Sequence, residues 1–252
     1  MVVKKITVKK RKYLSKGAMI AIALLFILSA GAYTSYRHFL ARDLKQEKVH
    51  AAEVKRNASL NEKTSPKLIT YDLNDVVEVS ADDVVAANFR NARGTSKKIL
   101  TGGMYMPDTN IHLGIFKGFY GDNQYLGACT YYDAENSSER QLGKGNYVLV
   151  GHNMASRTSL FAPLKNSKIG SYVYLTDYQE VFTFRVTSND VFNDTRTDLL
   201  EDIPDDETPI CTLVTCYGGA GTKRRRIVKG ELIEQKTLSN SPAHVKEAFQ
   251  VN

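Results

Sequence analysis

The chain has 252 residues, 42% of them apolar, and a formal charge of +7, which leaves room for one well-cored domain plus an appendage. The charge is unevenly placed: Lys4, Lys5, Lys9, Lys10, Arg11, Lys12 and Lys16 fall in the first sixteen residues with no acid among them, and the rest of the chain is near neutral. Basicity confined to a tail is not a groove-facing footprint, so a nucleic-acid partner is not expected.

Behind that tail, Gly17 to Tyr36 is free of charged side chains and matches the roughly 20 residues that a helix needs to cross a bilayer. The cations precede it, so the positive-inside bias puts the N-terminus in the cytoplasm and everything after Tyr36 outside. Ala30-Gly31-Ala32 would also suit a secretory peptidase; either reading exports the remainder of the chain, and only anchorage differs. Residues 1–16 are thus read as a cytoplasmic basic tail, 17–36 as a single-pass transmembrane signal-anchor, 37–75 as a polar extracytoplasmic stalk and 76–252 as the folded domain.

Within that domain, Ser80 followed by Asp83 and an apolar set at Val84, Val85, Ala87 and Phe89 predicts an N-capped helix to about Ala92. After Gly94 the pattern changes to short apolar or alternating runs bounded by Gly, Pro, Asn and Asp. Strands are expected at Ile99–Met106, Ile111–Phe116, Tyr147–Val150, Ser171–Thr176, Glu180–Val191, Ile210–Cys216 and Ile227–Glu234. Seven or eight short strands point to a mainly β fold, a closed barrel or a sandwich. Short helices are expected near Asp122–Ala128, near Ser159–Leu164 and at Pro242–Phe249.

Three cysteines, Cys129, Cys211 and Cys216, are an odd number for an exported chain, which favours a free thiol over a disulfide scaffold. Strand parity puts Thr212, Val214 and Cys216 on one face and Cys211, Leu213 and Thr215 on the other. Cys216 ends its strand before Gly218 and Gly219, where a reactive group has access, whereas Cys129 and Cys211 read as buried, inert thiols. His152 also leaves a strand end, after Val150 and Gly151. His38 and His50 lie in the stalk, His244 near the C-terminus and His112 inside a strand-like run, so His152 is the natural acid/base partner of a cysteine nucleophile. Of the basic run Lys223 to Arg226, Arg225 would stand on the same strand face as Ile227 and Lys229. There its guanidinium could support an oxyanion. Neither the spacing of a metal-binding cysteine or histidine pair nor that of a phosphate-cradling loop occurs, so no metal site is expected.

With Thr212-Leu213-Val214-Thr215-Cys216, Gly151-His152-Asn153-Met154, and Arg225 shortly before Val228-Lys229-Gly230, the chain resembles the class A sortases of Gram-positive bacteria over about residues 95–235. Segments at Gly103–Pro107, Ile111–Gly118, Gly127–Thr130 and Leu160–Leu164 look family-like as well. The resemblance implies an eight-stranded sortase-type β-barrel with short helices, here preceded by one N-terminal transmembrane helix. It also implies a membrane-anchored transpeptidase that cleaves a Leu-Pro-x-Thr-Gly signal between Thr and Gly and passes the acyl group, through a thioester, to an amine of lipid II or peptidoglycan. On the family motif, Cys216 is the nucleophile, His152 the acid/base and Arg225 the donor to the carbonyl oxygen, with Arg224 as the alternative one position away. Val214 and Thr215 would line the substrate groove and Val150 its floor. No cofactor is implied.

The chain departs from the family at Cys129, where many relatives have glycine. Some members bind calcium through acids before the histidine strand. Here Arg140 and Lys144 sit among Glu135 and Glu139, so no calcium requirement is expected; Asp198, Glu201, Asp202, Asp205, Asp206 and Glu207 are the acids a weakly held cation would use. A pilin-polymerising class C enzyme is the nearest rival. Such enzymes usually carry an Asp-Pro-aromatic lid, whereas Met106-Pro107-Asp108 has the wrong order, and a C-terminal span, whereas Ser239 to Asn252 is polar. A different cysteine peptidase of the cell wall and a non-catalytic anchored binding module are the other readings.

Overall fold

In the computed structural model the described residues are 31, 69–73, 76, 78–133, 139–154, 160–218 and 221–250. The basic tail, all but Gly31 of the apolar segment read as a membrane anchor, and most of the stalk lie outside them. The chain divides into two units, Met1–Lys45 and Gln46–Asn252; the barrel and its site belong to the second. Among the described residues no helix is long and apolar enough to cross a membrane.

Eight strands close into a barrel: β1 (Leu100–Met106), β2 (Ile111–Phe116), β3 (Gly127–Tyr131), β4 (Asn146–Val150), β5 (Tyr172–Thr176), β6 (Glu180–Asn193), β7 (Ile210–Cys216) and β8 (Arg224–Thr237). Their order around the barrel is β1-β2-β3-β4-β7-β8-β6-β5. The contacts β2–β3 and β4–β7 are parallel and the others antiparallel. Among the described residues three α-helices accompany the barrel: α1 (Ala81–Ala92), α2 (Asn123–Leu126) and α3 (Ala243–Gln250). Helix α1 starts where the sequence predicts, with Ser80 and Asp83 reciprocally capping each other's backbone N–H.

The strands differ from expectation mainly at β3. The sequence predicts a helix throughout residues 122–128, but α2 lasts one turn and the chain then joins the barrel at Gly127. A Cβ at Gly127 would lie 2.2 Å from the Gly114 carbonyl oxygen, so the parallel β2–β3 contact requires glycine there. Strand β8 also begins earlier and ends later than expected, because a long ribbon with β6 extends it at both ends.

The barrel interior is filled by Met104, Ile115, Leu149, Val173, Leu175, Phe184, Cys211, Leu213 and Val228, which form one buried cluster. The residues between these on β4 and β7 point out of the barrel, where Cys129, Val148, Val150, Val214 and Ile227 make a second apolar cluster with Phe119 and Leu200. Strand alternation therefore gives β4 and β7 two buried faces. That accounts for their unbroken apolar character.

Candidate active site

Parallel strands end at the same rim of a sheet, and β4 pairs in parallel with β7 at Val150↔Val214. Two residues further along each strand stand His152 and Cys216. The ladder continues past β4, since Gly151 N donates to Val214 O at 3.0 Å. Buried Thr215, on the other face from Cys216, donates its hydroxyl to Gly151 O at 2.7 Å. The sequence-predicted groove residue Thr215 thus reaches the cavity wall while its hydroxyl locks the turn that carries His152. A Cβ at Gly151 would meet the Phe161 ring at 2.7 Å, so the turn is packed as closely as a side chain there would forbid.

The third group arrives from β8. Antiparallel pairing sets Arg225 directly across from Cys216, Arg226 across from Thr215 and Ile227 across from Val214. Directly opposed residues share a face, so Arg225 lies on the Cys216 face and Arg224 and Arg226 on the other. The guanidinium is held by the backbone: Nη1 donates to Thr222 O at 2.6 Å and Arg224 O at 3.1 Å, and Nη2 is 3.7 Å from Asp194 Oδ2. Its Nε–H, which has no hydrogen-bond partner among the described residues, is the donor left for a carbonyl oxygen. Arg226, on the other face, donates from Nη1 to Asn189 Oδ1 at 2.5 Å.

His152 is half-buried, its Nε2 3.2 Å from Gln124 Oε1. Burial pulls the imidazole pKa down from 6.5 to about 4, because the charged form loses water and gains no carboxylate in return. At neutral pH the ring is uncharged. With the Nε2 proton on the Gln124 oxygen, Nδ1 is the free base. No hydrogen bond joins it to Cys216 in this state, yet both side chains border one cavity. That arrangement suits a neutral base that takes the thiol proton as sulfur attacks. Cys216 is half-buried. Burial raises the thiol pKa of Cys129, and that of Cys211 to about 12, which leaves both as inert protonated thiols.

The cavity is a groove of about 1630 Å³ lined by Val150, His152, Val214, Thr215, Cys216 and Arg225. It was legible from the motifs. Other lining residues were not: Ile69–Leu73, Val76 and Val79 also border it, and Leu73 and Val76 pack on the apolar face made by Val150, Val214 and Ile227. Phe119 N donates to Thr70 O at 2.9 Å and fixes this segment at one end. A further wall comes from Arg196, Thr197 and Leu200 in the β6–β7 connection. Buried Arg140 ties that connection to the barrel through Asp202, at 2.5 Å, and Asp202 also accepts from Asn146 N at 2.8 Å. Gln124 and Asp194 likewise went unseen, because no local pattern marks a residue whose partner is 28 or more positions away. Among the described residues no three His, Cys, Asp or Glu side chains are placed to hold a metal ion.

Comparison with known proteins points to one family. Residues 104–233 match the model of the sortase domain. The chain is 28% identical over 221 residues to sortase A of Listeria monocytogenes, covering 88% of this chain and 91% of that protein. It is 30% identical over 194 residues to sortase A of Streptococcus agalactiae, covering 75% and 73%. The crystal structure of the Listeria monocytogenes sortase A superposes with a TM-score of 0.53 at 27% identity, over 61% of this chain and 99% of the other.

Proposed function

This chain belongs to the sortase family of cysteine transpeptidases, and we propose that it is a class A member that anchors exported proteins to the cell wall. Its substrate is a Leu-Pro-x-Thr-Gly signal lying along the groove that Val150 and Val214 line. As Cys216 Sγ attacks the threonine carbonyl carbon, His152 takes the thiol proton and Arg225 donates to the oxygen that becomes negative. The tetrahedral intermediate collapses, the C–N bond to glycine breaks, and His152 returns the proton to the leaving amine. A thioester on Cys216 remains. An amine of lipid II or peptidoglycan then attacks the thioester carbon, the C–S bond breaks, and His152 carries the amine proton to the departing sulfur, which restores the thiol.

The observation that carries this reading is the strand register: Val150↔Val214 in parallel and Cys216↔Arg225 in antiparallel bring the three groups to one rim. Class A is favoured because the chain before β1 has no Asp-Pro-aromatic run. Residues 17–36 hold the enzyme in the membrane with residues 1–16 in the cytoplasm and the catalytic domain outside; the charge-free run behind seven cations supports this. The test is to incubate the protein with a fluorescent Leu-Pro-Ala-Thr-Gly peptide and triglycine and separate the products. Cleavage between Thr and Gly with triglycine-dependent transfer is expected. An intact peptide beside folded protein would reject the assignment.

A further inference from the structure

Helix α2 is a single turn, yet its start is firmly anchored. Asp122, just before it, accepts from Arg90 Nη2 at 2.5 Å, from Arg90 Nε at 3.1 Å and from the Ser96 hydroxyl at 3.0 Å. Buried Asn123 accepts from Ile99 N at 3.0 Å and donates to Lys117 O at 2.7 Å and Gly118 O at 3.1 Å. Gln124 follows at once, and Gly127 is then fixed against Gly114 in the barrel. Gln124 is 8% exposed, and among the described residues its side-chain amide has one hydrogen-bond partner, the His152 ring, with Oε1 3.2 Å from Nε2. Burying an amide costs free energy unless it is hydrogen-bonded, and here the compensating contact is to the base of the active site.

Among the described residues the ring has no other hydrogen-bonding side chain. Val76, Phe119, Cys129 and Val150 enclose a cavity of about 10 Å³ beside the two side chains, at the lower limit of room for one water and with apolar walls that would not hold it. Of the charged groups that border the groove, Arg225 and Asp194 are joined to each other, Asp83 to Ser80 and Arg196 to Asp198, and none is bonded to the ring. Burial alone lowers the imidazole pKa. In a neutral imidazole one nitrogen carries the proton and the other accepts, and the partner of the first selects which. Gln124 Oε1 can only accept, so the proton stays on Nε2 and the lone pair on Nδ1. An amide also differs from a carboxylate, since it fixes the tautomer without adding the negative charge that would protonate the ring.

We propose that Gln124 is a positioning residue for transpeptidation, holding His152 as the Nε2–H tautomer so that Nδ1 is the atom that takes and returns the proton in both steps. The inference rests on the transpeptidase reading above and assigns the residue that orients its base. In the first step the Sγ proton passes to Nδ1 as sulfur bonds to the carbonyl carbon, and then from Nδ1 to the departing glycine nitrogen. In the second it passes from the acceptor amine to Nδ1 and on to sulfur as the C–S bond breaks. Gln124 neither gains nor loses a proton; it accepts from Nε2–H throughout, more strongly while the ring is charged.

The experiment compares the full-length protein with Gln124→Leu and Gln124→Glu. Release of the Gly fragment from a Leu-Pro-Ala-Thr-Gly peptide is followed from about pH 4.5 to 9, Tm reports the fold, and the nitrogen-15 resonances of the His152 ring, assigned with His152→Gln, report the tautomer. Leucine keeps the volume and removes the acceptor. Its kcat should fall about tenfold at every pH, the worth of one hydrogen bond, with KM unchanged, and the Nδ1 and Nε2 resonances should move towards each other as both tautomers fill. Glutamate keeps the acceptor and adds a charge. Its acid limb of kcat/KM should move up by about 1–3 pH units, and above that limb most of the activity should return, which leucine achieves at no pH. Unshifted ring resonances in Gln124→Leu, or an acid limb in Gln124→Glu that coincides with that of the unaltered protein, overturns the proposal; so does an equal loss in both variants at every pH, the pattern of a purely structural role. If Gln124→Leu does not fold, the acid limb of Gln124→Glu decides. No Gly release from the unaltered protein overturns the transpeptidase reading, and the ring resonances then decide the role of Gln124 separately.

Discussion

His152 gives the sharpest pH prediction. Its pKa is about 4 in the folded protein, pulled down by burial, against an ordinary value of 6.5. Between these values the unfolded chain binds a proton that the folded chain refuses, so stability falls as pH drops from 6.5 towards 4 and the loss levels off below 4. At 1.36 kcal/mol per unit the full gap is worth about 3 kcal/mol; because the ring faces an open groove, roughly half of that should be realised. The assay is urea unfolding of the protein and of His152→Gln at pH 7, 5.5 and 4.5. The variant should become relatively more stable, by about 1–2 kcal/mol, as the pH falls. An NMR titration of the His152 Cε1 resonance should show a midpoint near 4. A midpoint at the ordinary histidine value, or parallel stability curves, would refute the claim that the resting imidazole is a desolvated neutral base.

Two substitutions test the geometry around it. Arg225→Ala should lower kcat/KM for release of the Gly fragment by about 10²–10³ without changing Tm, the loss expected for removal of an oxyanion donor; Arg225→Lys should recover only part of it, because an ammonium lacks the planar fork. Gly151→Ala forces a methyl group against the Phe161 ring. It should cost about 1–3 kcal/mol of stability and lower kcat by displacing His152, which urea denaturation and steady-state kinetics would read separately.

The parts of the fold that could be read in the sequence were those with a local signature. The β-branched and apolar runs of β4 and β7 mark strands buried on both faces, and Ser80 with Asp83 marks the start of α1. Strand β3 had no such signature: Gly127, Ala128 and Cys129 are small, and what makes them a strand is the gap between β2 and β4 that they fill. Within the run of cations, strand alternation with Ile227 and Lys229 favoured Arg225 over Arg224, and the cross-strand register of β7 and β8 puts Arg225 opposite Cys216. The lining residues that precede α1 hid in a polar stretch, where Leu73, Val76 and Val79 gain meaning only once the apolar face of Val150 and Val214 is known. Gln124 gave no signal at all, since its link to His152 is purely spatial.

The central claim is covalent: Cys216, and neither Cys129 nor Cys211, carries the acyl group. The most direct measurement is the intact mass of the protein quenched in acid during turnover of a Leu-Pro-Ala-Thr-Gly peptide without acceptor. The expected result is an adduct of the Leu-Pro-Ala-Thr acyl group that maps to Cys216, disappears on addition of triglycine and is absent from Cys216→Ala. An adduct that persists in Cys216→Ala, or cleavage that proceeds with no adduct under conditions that trap thioesters, would contradict the account.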